Sequence, residues 1–276
     1  MSGETMDTSK LRPVMALMGE FSAGKSTLAN LLLGEGHSPV KVTATQLPPV
    51  WFSYGDESPY AVGLDGSETP LAIEDLEQVS VETTAHVRIF LKAEILELMD
   101  LIDMPGNSDP NMSAEVWRRA VQHVDGVIWC SHANQAWRQS EAAVWEEMPD
   151  HLYPNSILLL TRFDKILGDS NRNRVLRRVR AEAEDGFAGI YPISLTDALS
   201  AGENRNQWEA SGAEDFIGAL LEIVISGIDT PAPEPEADPD PVEPVSVMPR
   251  RVARSSGEPP ARTRLPSDRP AVETSV

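Results

Sequence analysis

Gly19-Glu20-Phe21-Ser22-Ala23-Gly24-Lys25-Ser26 is the stretch on which the fold turns. It fits G-x-x-x-x-G-K-[ST], and its flanks supply the context that pattern requires. An apolar run, Val14–Met18, precedes it as a strand, and Thr27–Leu33 follows with helical character. Gly19 and Gly24 let the backbone bend until successive N–H groups point inward at phosphate oxygens. The helix start adds partial positive charge. Lys25 has the reach for β- and γ-phosphates, and the Ser26 hydroxyl is suited to ligate Mg2+. Glu20, Phe21, Ser22, Ala23 and Thr27 complete this nucleotide-binding turn.

Outward from the loop, residues 1–228 alternate between short apolar runs and helical patterns. Val50–Tyr54, Ile95–Ile102, Gly126–Cys130, Ile157–Thr161 and Ile190–Ile193 read as strands. Lys25–Leu33, Ala114–His123, Gln139–Glu147, Arg172–Glu184 and Glu214–Ser226 read as helices. This pattern predicts an α/β fold of three layers, a mostly parallel sheet flanked by helices. Two interruptions are expected. Tyr60–Leu64 followed by Asp65-Gly66 predicts a hairpin with a type I′ turn. His86–Leu91 and Ala93–Ile102 predict a second antiparallel pair.

Composition bounds the rest. The chain has 276 residues, with 23 basic and 43 acidic side chains and a net charge of −20. Such a balance argues against nucleic acid and against direct docking on anionic lipid. One cysteine, Cys130, excludes an intrachain disulfide framework and a zinc ribbon. The N-terminus has no basic start followed by an apolar stretch, and no apolar run approaches the ~18 residues of a membrane span. A soluble, cytoplasmic chain is the expectation, with any membrane contact made through partners. Composition changes near Asp229: residues 229–276 hold 11 of the 22 prolines and few aliphatic side chains, so they read as a disordered tail. Asp229–Glu243 carries six acids and no base, while residues 245–276 carry six arginines against three acids. That tail is either a tether for a partner not identifiable from sequence or a solubilising extension.

Two further motifs lie at strand ends. Asp103-Met104-Pro105-Gly106 closes the Ile95–Ile102 run, and a carboxylate at a strand tip suits the outer shell of a nucleotide-bound Mg2+. Gly106 brings a backbone N–H toward a γ-phosphate with no side chain in the way. Thr161-Arg162-Phe163-Asp164 follows Ile157–Leu160 and resembles the [N/T]-K-x-D motif of GTPases, whose aspartate accepts hydrogen bonds from guanine N1 and N2. Adenine lacks that donor pair and would leave the carboxylate unmatched. Arg162 replaces the usual lysine, and its plane can stack on the base in the same place. Lys165 is an alternative for that role, and Ser194 ends the last strand within reach of the base.

Together these residues resemble the GTPase domain of the dynamin superfamily, and more closely the bacterial dynamin-like proteins, over about residues 10–228. GEFSAGKSTLANLLLG, from Gly19 to Gly34, is similar to that group's phosphate loop. Ser22 matches a serine that implies water positioning and a monovalent-cation site. Thr45-Gln46-Leu47-Pro48-Pro49-Val50 resembles the first switch segment and implies Thr45 as the threonine that ligates Mg2+ and orients water, with Thr43 as the alternative. The hairpins before Asp103 and the segment Trp129–Ala136 are also similar. The resemblance implies GTP as substrate, GDP as product, and a nucleotide-dependent homodimer through the GTPase face. Two departures stand out. Phe21 occupies the place of a water-orienting glutamine in eukaryotic dynamins, and the long helical stalk segments have no counterpart here.

Other constellations are expected to be structural. Arg172, Arg174, Arg177, Arg178 and Arg180 read as a solvated helix face with Arg178/Glu182 and Arg180/Glu184 pairs. Trp117, Trp129, Trp137 and Trp145 read as core, and Cys130 as a buried strand thiol. The reading is therefore a Mg-GTP hydrolase. A GTP-dependent switch or assembly module with little turnover is the rival, favoured by Phe21; a P-loop ATPase and an inert scaffold are the weaker ones.

Overall fold

A computed structural model of the chain describes residues 12–34, 47–105 and 114–228. Thr43, Thr45, Gly106 and the 229–276 segment lie outside the described residues. The first strand, β1 (Val14–Gly19), runs through the middle of the sheet and leads by the phosphate loop into α1 (Lys25–Leu33). Then come β2 (Val50–Tyr54), β3 (Tyr60–Gly63), β4 (Glu68–Pro70), β5 (Thr84–Leu91) and β6 (Asp100–Asp103). The second half alternates: α2 (Ala114–Val121), β7 (Gly126–His132), α3 (Gln139–Trp145), β8 (Ile157–Thr161), α4 (Asp169–Ala183), β9 (Gly189–Pro192), α5 (Leu195–Ala201), α6 (Arg205–Ala210) and α7 (Ala213–Ile228).

Among the described residues nine strands form one sheet in the order β4-β3-β5-β2-β6-β1-β7-β8-β9. Pairings of β1 with β6 and β7, of β8 with β7 and β9, and of β2 with β5 are parallel. Only β2–β6, β3–β4 and β3–β5 are antiparallel, so the sheet is mostly parallel. Its central strands read as unbroken apolar runs because both faces are covered. Alternation divides their side chains. Met15, Leu17, Ile128, Cys130, Ile157 and Leu159 enter one core with Leu28, Phe216 and Leu220. Ala16, Met18, Val127, Trp129, Leu158 and Leu160 enter the other with Trp117, Trp137, Trp145 and Val179. Three layers follow directly.

The four tryptophans are core, as read from the sequence. Trp129 meets Trp137 and Trp145 edge-on at 6.1 and 5.7 Å, and Trp145 stacks on Phe187 at 4.1 Å. Cys130 is fully buried, which pushes its thiol up to about 12. On α4, Arg178 pairs with Glu182 at 2.8 Å, yet it also donates to the Ala136 carbonyl and so is less detached from the body than a solvated face implies. Among the described residues no helix is long and apolar enough to cross a membrane.

Three local expectations are corrected. β5 and the segment after it are not an antiparallel pair, because β2 lies between β5 and β6. Ile95–Met99 is not extended: Glu94–Glu97 forms a 3-10 turn that buries Leu96 and Met99, three residues apart, which is helical rather than strand spacing. The strand proper is only Asp100–Asp103. It is anchored at its start by the Asp100 carboxylate, whose Oδ2 accepts from Trp51 Nε1 (2.9 Å), Ser53 Oγ (2.7 Å) and Arg88 (3.0 Å). Second, the β3–β4 hairpin exists, but neither Leu64 nor Asp65 has positive φ while Gly66 has φ +79°. Gly66 N donates to Gly63 O and Gly63 N to Ser67 O, which makes a three-residue loop ending in a left-handed glycine rather than a type I′ turn. Third, α5 and α6 were not expected; at seven and six residues they are too short to show a period.

Gly19 couples this scaffold to the loop. Its φ is +134°, and a Cβ there would sit 2.1 Å from the carbonyl oxygen of Cys130 on the adjacent strand. Gly19→Ala is expected to cost about 3 kcal/mol through strain and steric conflict, read as a fall in the urea midpoint. An unchanged midpoint would mean that β7 gives way at no cost.

Candidate functional site

β1, β6, β7, β8 and β9 run parallel, so their carboxyl ends share one edge of the sheet, where open α/β folds place their ligand sites. The phosphate loop leaves β1 at this edge. Ser22 and Gly24 both have positive φ, at 61° and 99°, and Ala23 N donates to Glu20 O at 3.2 Å. Alternation of this kind makes a concave array of backbone N–H groups suited to anions. Lys25 begins α1 and is 8% exposed. Its Nζ donates to the carbonyls of Gly19 (2.8 Å) and Glu20 (3.0 Å). Burial lowers its pKa, opposed mainly by the carboxylate of Asp103. The ammonium is therefore held at the base of the loop with few partners of its own, ready for a stronger anion.

Asp103 ends β6 beside Leu17, two residues before the loop begins. Burial raises its carboxyl to about 6, against the pull of Lys25. Ser26 and Thr27, in the first turn of α1, are both half-buried. Lys25, Ser26 and Asp103 thus gather at one end of the site.

The other end is built by β8 and β9. Thr161 is fully buried, and its Oγ1 donates to the carbonyls of Ala23 (2.7 Å) and Ser131 (3.3 Å), so this hydroxyl ties the strand to the underside of the phosphate loop. Arg162 is left-handed, with φ 54°, and reaches across the loop: one guanidinium nitrogen donates to Ser22 O at 3.2 Å and another lies 3.3 Å from His132 Nε2. Asp164 sits in the 3-10 turn Phe163–Lys165 and pairs with Lys165 at 2.8 Å. Burial opposes its ionisation, but hydrogen bonds from Lys165 and Ser194 hold its carboxyl below the ordinary range. Ser194 caps α5, accepting from Asp197 N at 3.4 Å, and Phe163 N donates to Ile193 O. The alternative lysine, Lys165, is therefore engaged with Asp164, whereas Arg162 spans the loop. Phe21 projects at 65% exposure from the loop's crest.

A set of residues that no motif picks out supports this edge. Glu141 is 2% exposed. It accepts from Trp129 Nε1 (3.0 Å), Ser131 Oγ (2.9 Å) and Arg138 N (2.9 Å), and burial raises its pKa despite those bonds. Ser131 Oγ in turn accepts from Trp137 N at 2.9 Å. From the same turn, Arg138 pairs with the Glu20 carboxylate at 2.9 Å and Ser140 Oγ donates to it at 2.8 Å. A glutamate at the third position of α3 is a capping signal that could have flagged Glu141. Nothing local flags Arg138 or Ser140, which lie more than 100 residues from Glu20 in sequence.

Comparison with known proteins agrees with this geometry. The family model of the dynamin family matches residues 15–163, just over half of the chain. Dynamin-like protein 2 of Campylobacter jejuni subsp. jejuni serotype O:23/36 (strain 81-176) is 26% identical over 215 residues, covering 76% of this chain and 34% of that protein. Two structures of an oligomerised bacterial dynamin pair, described as providing a mechanism for long-range sensing and tethering of membranes, share the fold. Their TM-scores are 0.55 and 0.54, each at 24% identity over 79% of this chain and 36% of theirs. The chain spans about a third of the length of these relatives. With its phosphate loop and acidic strand tip both inside the matched stretch, the chain belongs to the dynamin family, a family of GTPases.

Proposed function

We propose that this chain binds Mg-GTP and hydrolyses it to GDP and phosphate. One observation carries the reading: Thr161 and Arg162 bond directly to Ala23 and Ser22 of the phosphate loop, so a base-reading turn and a phosphate cradle form one rigid unit. Lys25 and the loop N–H groups bind the β- and γ-phosphates, and Gly19, Glu20, Phe21, Ala23, Gly24 and Thr27 shape that cradle. The residues present fit a divalent ion, since Ser26 lies in the first turn of α1 and Asp103 is a partly buried carboxylate facing the lysine's field. Ser26 and Thr45 would ligate Mg2+ with Asp103 behind them, and the ion would supply charge neutralisation at the phosphates. Gly106 senses the γ-phosphate, and Thr45 orients water. Ser22 positions water and contributes to a monovalent-cation site.

Asp164 selects guanine, with Ser194 and Lys165 keeping it ionised and Arg162 covering the base. Residues 1–228 act as the GTPase head and residues 229–276 as a tail that engages a further partner. The bacterial dynamin pair described above is oligomerised and concerned with membrane tethering. By analogy, this head self-associates through its nucleotide face and works in the cytoplasm, peripheral to a membrane. A second reading, a GTP-dependent switch with little turnover, is favoured by Phe21, which has no hydrogen-bonding group to orient water.

Fluorescent-nucleotide titration with Mg2+ tests the base assignment. Wild type is expected to prefer GTP over ATP by about 100-fold or more, since adenine offers the partly exposed Asp164 carboxylate no matching pair of donors. Asp164→Asn is expected to lose GTP and gain xanthosine triphosphate, whose C2 carbonyl accepts from the new amide. Equal binding of ATP would overturn the guanine reading. Phosphate release below about one turnover per hour with GTP bound, a barrier of about 22 kcal/mol or more, would favour the switch.

A further inference from the structure

A glutamate inside a phosphate-binding loop is an electrostatic anomaly. Glu20 follows Gly19 directly, and its backbone carbonyl already accepts from Lys25. Its carboxylate is close enough to raise the lysine's pKa, and it also adds to the upward shift of the buried Glu141. A polyphosphate entering this cradle brings three or four negative charges to a place where Glu20 has put one more. Lys25 is the one cationic side chain in Gly19–Ser26, and its ammonium is bonded to the loop's own carbonyls. The offset comes from a distant part of the chain. Arg138, in the turn before α3, meets Glu20 Oε2 at 2.9 Å, and Ser140 donates to Oε1 at 2.8 Å. Glu20's side chain is 20% exposed and that of Arg138 44%, so water screens the pair only in part.

We propose that Arg138 is a positioning residue for the polyphosphate: by neutralising and tethering Glu20, it keeps the phosphate loop receptive to a triphosphate. The inference rests on the nucleotide-binding reading above and deepens it. Arg138 touches no phosphate itself. It acts through Glu20, turning that carboxylate away from the cradle and cancelling its field. Its backbone N–H, which bonds to Glu141, performs a separate structural task that a side-chain substitution leaves in place. Three consequences separate the charge role from a packing role. Loss of the guanidinium harms GTP binding more than GDP binding, because the repulsion scales with ligand charge. The harm shrinks as salt rises, since the uncovered charge is partly exposed. It also requires Glu20 to be charged.

The experiment is a double-mutant cycle on the full chain, using fluorescent GTP and GDP with Mg2+ at 50 mM and 500 mM salt. Arg138→Met is expected to weaken GTP about tenfold and GDP about threefold at low salt. At high salt both losses are expected to contract to about twofold or less. In a Glu20→Gln background the same Arg138→Met change is expected to alter GTP affinity by less than about twofold. Thermal unfolding without nucleotide runs in parallel. A loss of affinity that persists in the Glu20→Gln background, or that tracks a fall in melting temperature, would overturn the charge role. So would an Arg138→Met variant that binds as wild type does. If wild type itself binds neither nucleotide, the parent reading fails and this one with it; binding by wild type with no effect at Arg138 removes only the present inference.

Discussion

Lys25→Ala is expected to weaken GTP binding by at least about 100-fold, or about 2.7 kcal/mol, because charge-assisted contacts to phosphate are lost. Its stability is expected to move little, within about 1 kcal/mol of wild type, and not downward by more than that. The reason lies in the lysine's surroundings. Its ammonium is buried, 8% exposed, and donates to the carbonyls of Gly19 and Glu20. Burial is the largest influence on its pKa and lowers it. A base whose folded pKa falls below its unfolded value opposes folding wherever it must stay charged, and that opposition fades only as pH rises through the folded pKa. Near neutral pH the residue is therefore a cost to the fold, one that the proposed nucleotide binding would recover. Isothermal titration and urea unfolding on the same preparation check both halves. Retained affinity would remove Lys25 from the cradle, and a collapse in stability would mean that the two carbonyl bonds outweigh the burial.

Glu141→Ala is the largest stability effect expected from a residue outside the motifs. It leaves two buried donors, Trp129 Nε1 and Ser131 Oγ, and the part-buried Arg138 N without their acceptor. Stranding them is expected to cost about 3–5 kcal/mol. Glu141→Gln keeps one carbonyl acceptor and is expected to lose about 1–2 kcal/mol instead. The carboxyl's pKa is raised, with burial the leading cause. An acid raised in the folded state holds its proton to higher pH than in the unfolded chain. Its contribution is therefore most favourable in acid and declines as pH climbs through the raised folded pKa. Glu141→Ala should accordingly narrow its stability gap to wild type as pH rises through that range. Chemical denaturation at several pH values tests this. Equal midpoints for Glu141→Ala and wild type would show that water replaces the carboxylate in full.

The effect should travel. Ser131 accepts from Trp137 N through Oγ, and through its carbonyl it accepts from Thr161, whose hydroxyl also bonds to Ala23. Damage at Glu141 therefore reaches the phosphate loop through three hydrogen bonds in series.

What could be read from sequence follows the range of each interaction. Val14–Leu33 was legible as strand, loop and helix because its backbone conformation is set by adjacent residues, with glycines where the turn needs them. Val50–Tyr54 and Ile157–Thr161 were legible to the residue, being short runs rich in β-branched, aromatic and leucine side chains. Leu96 and Met99 misled, since an apolar cluster looks alike whether it lines a strand or a single helical turn. The short α5 and α6 left no period to detect.

By itself the sequence determined the α/β alternation, the phosphate loop at the end of the first strand, and the acidic residues placed at or just after the ends of two later strands. These depend on contacts within a few residues and on which runs are apolar enough to be buried on both faces. Tertiary structure alone decided that β2 separates β5 from β6, that Thr161 fastens the base-side turn beneath Ala23, and that Arg138 answers the charge of Glu20. Strand order and partner choice depend on packing between segments far apart in the chain, and a charge 118 residues away leaves no mark on the local pattern it neutralises.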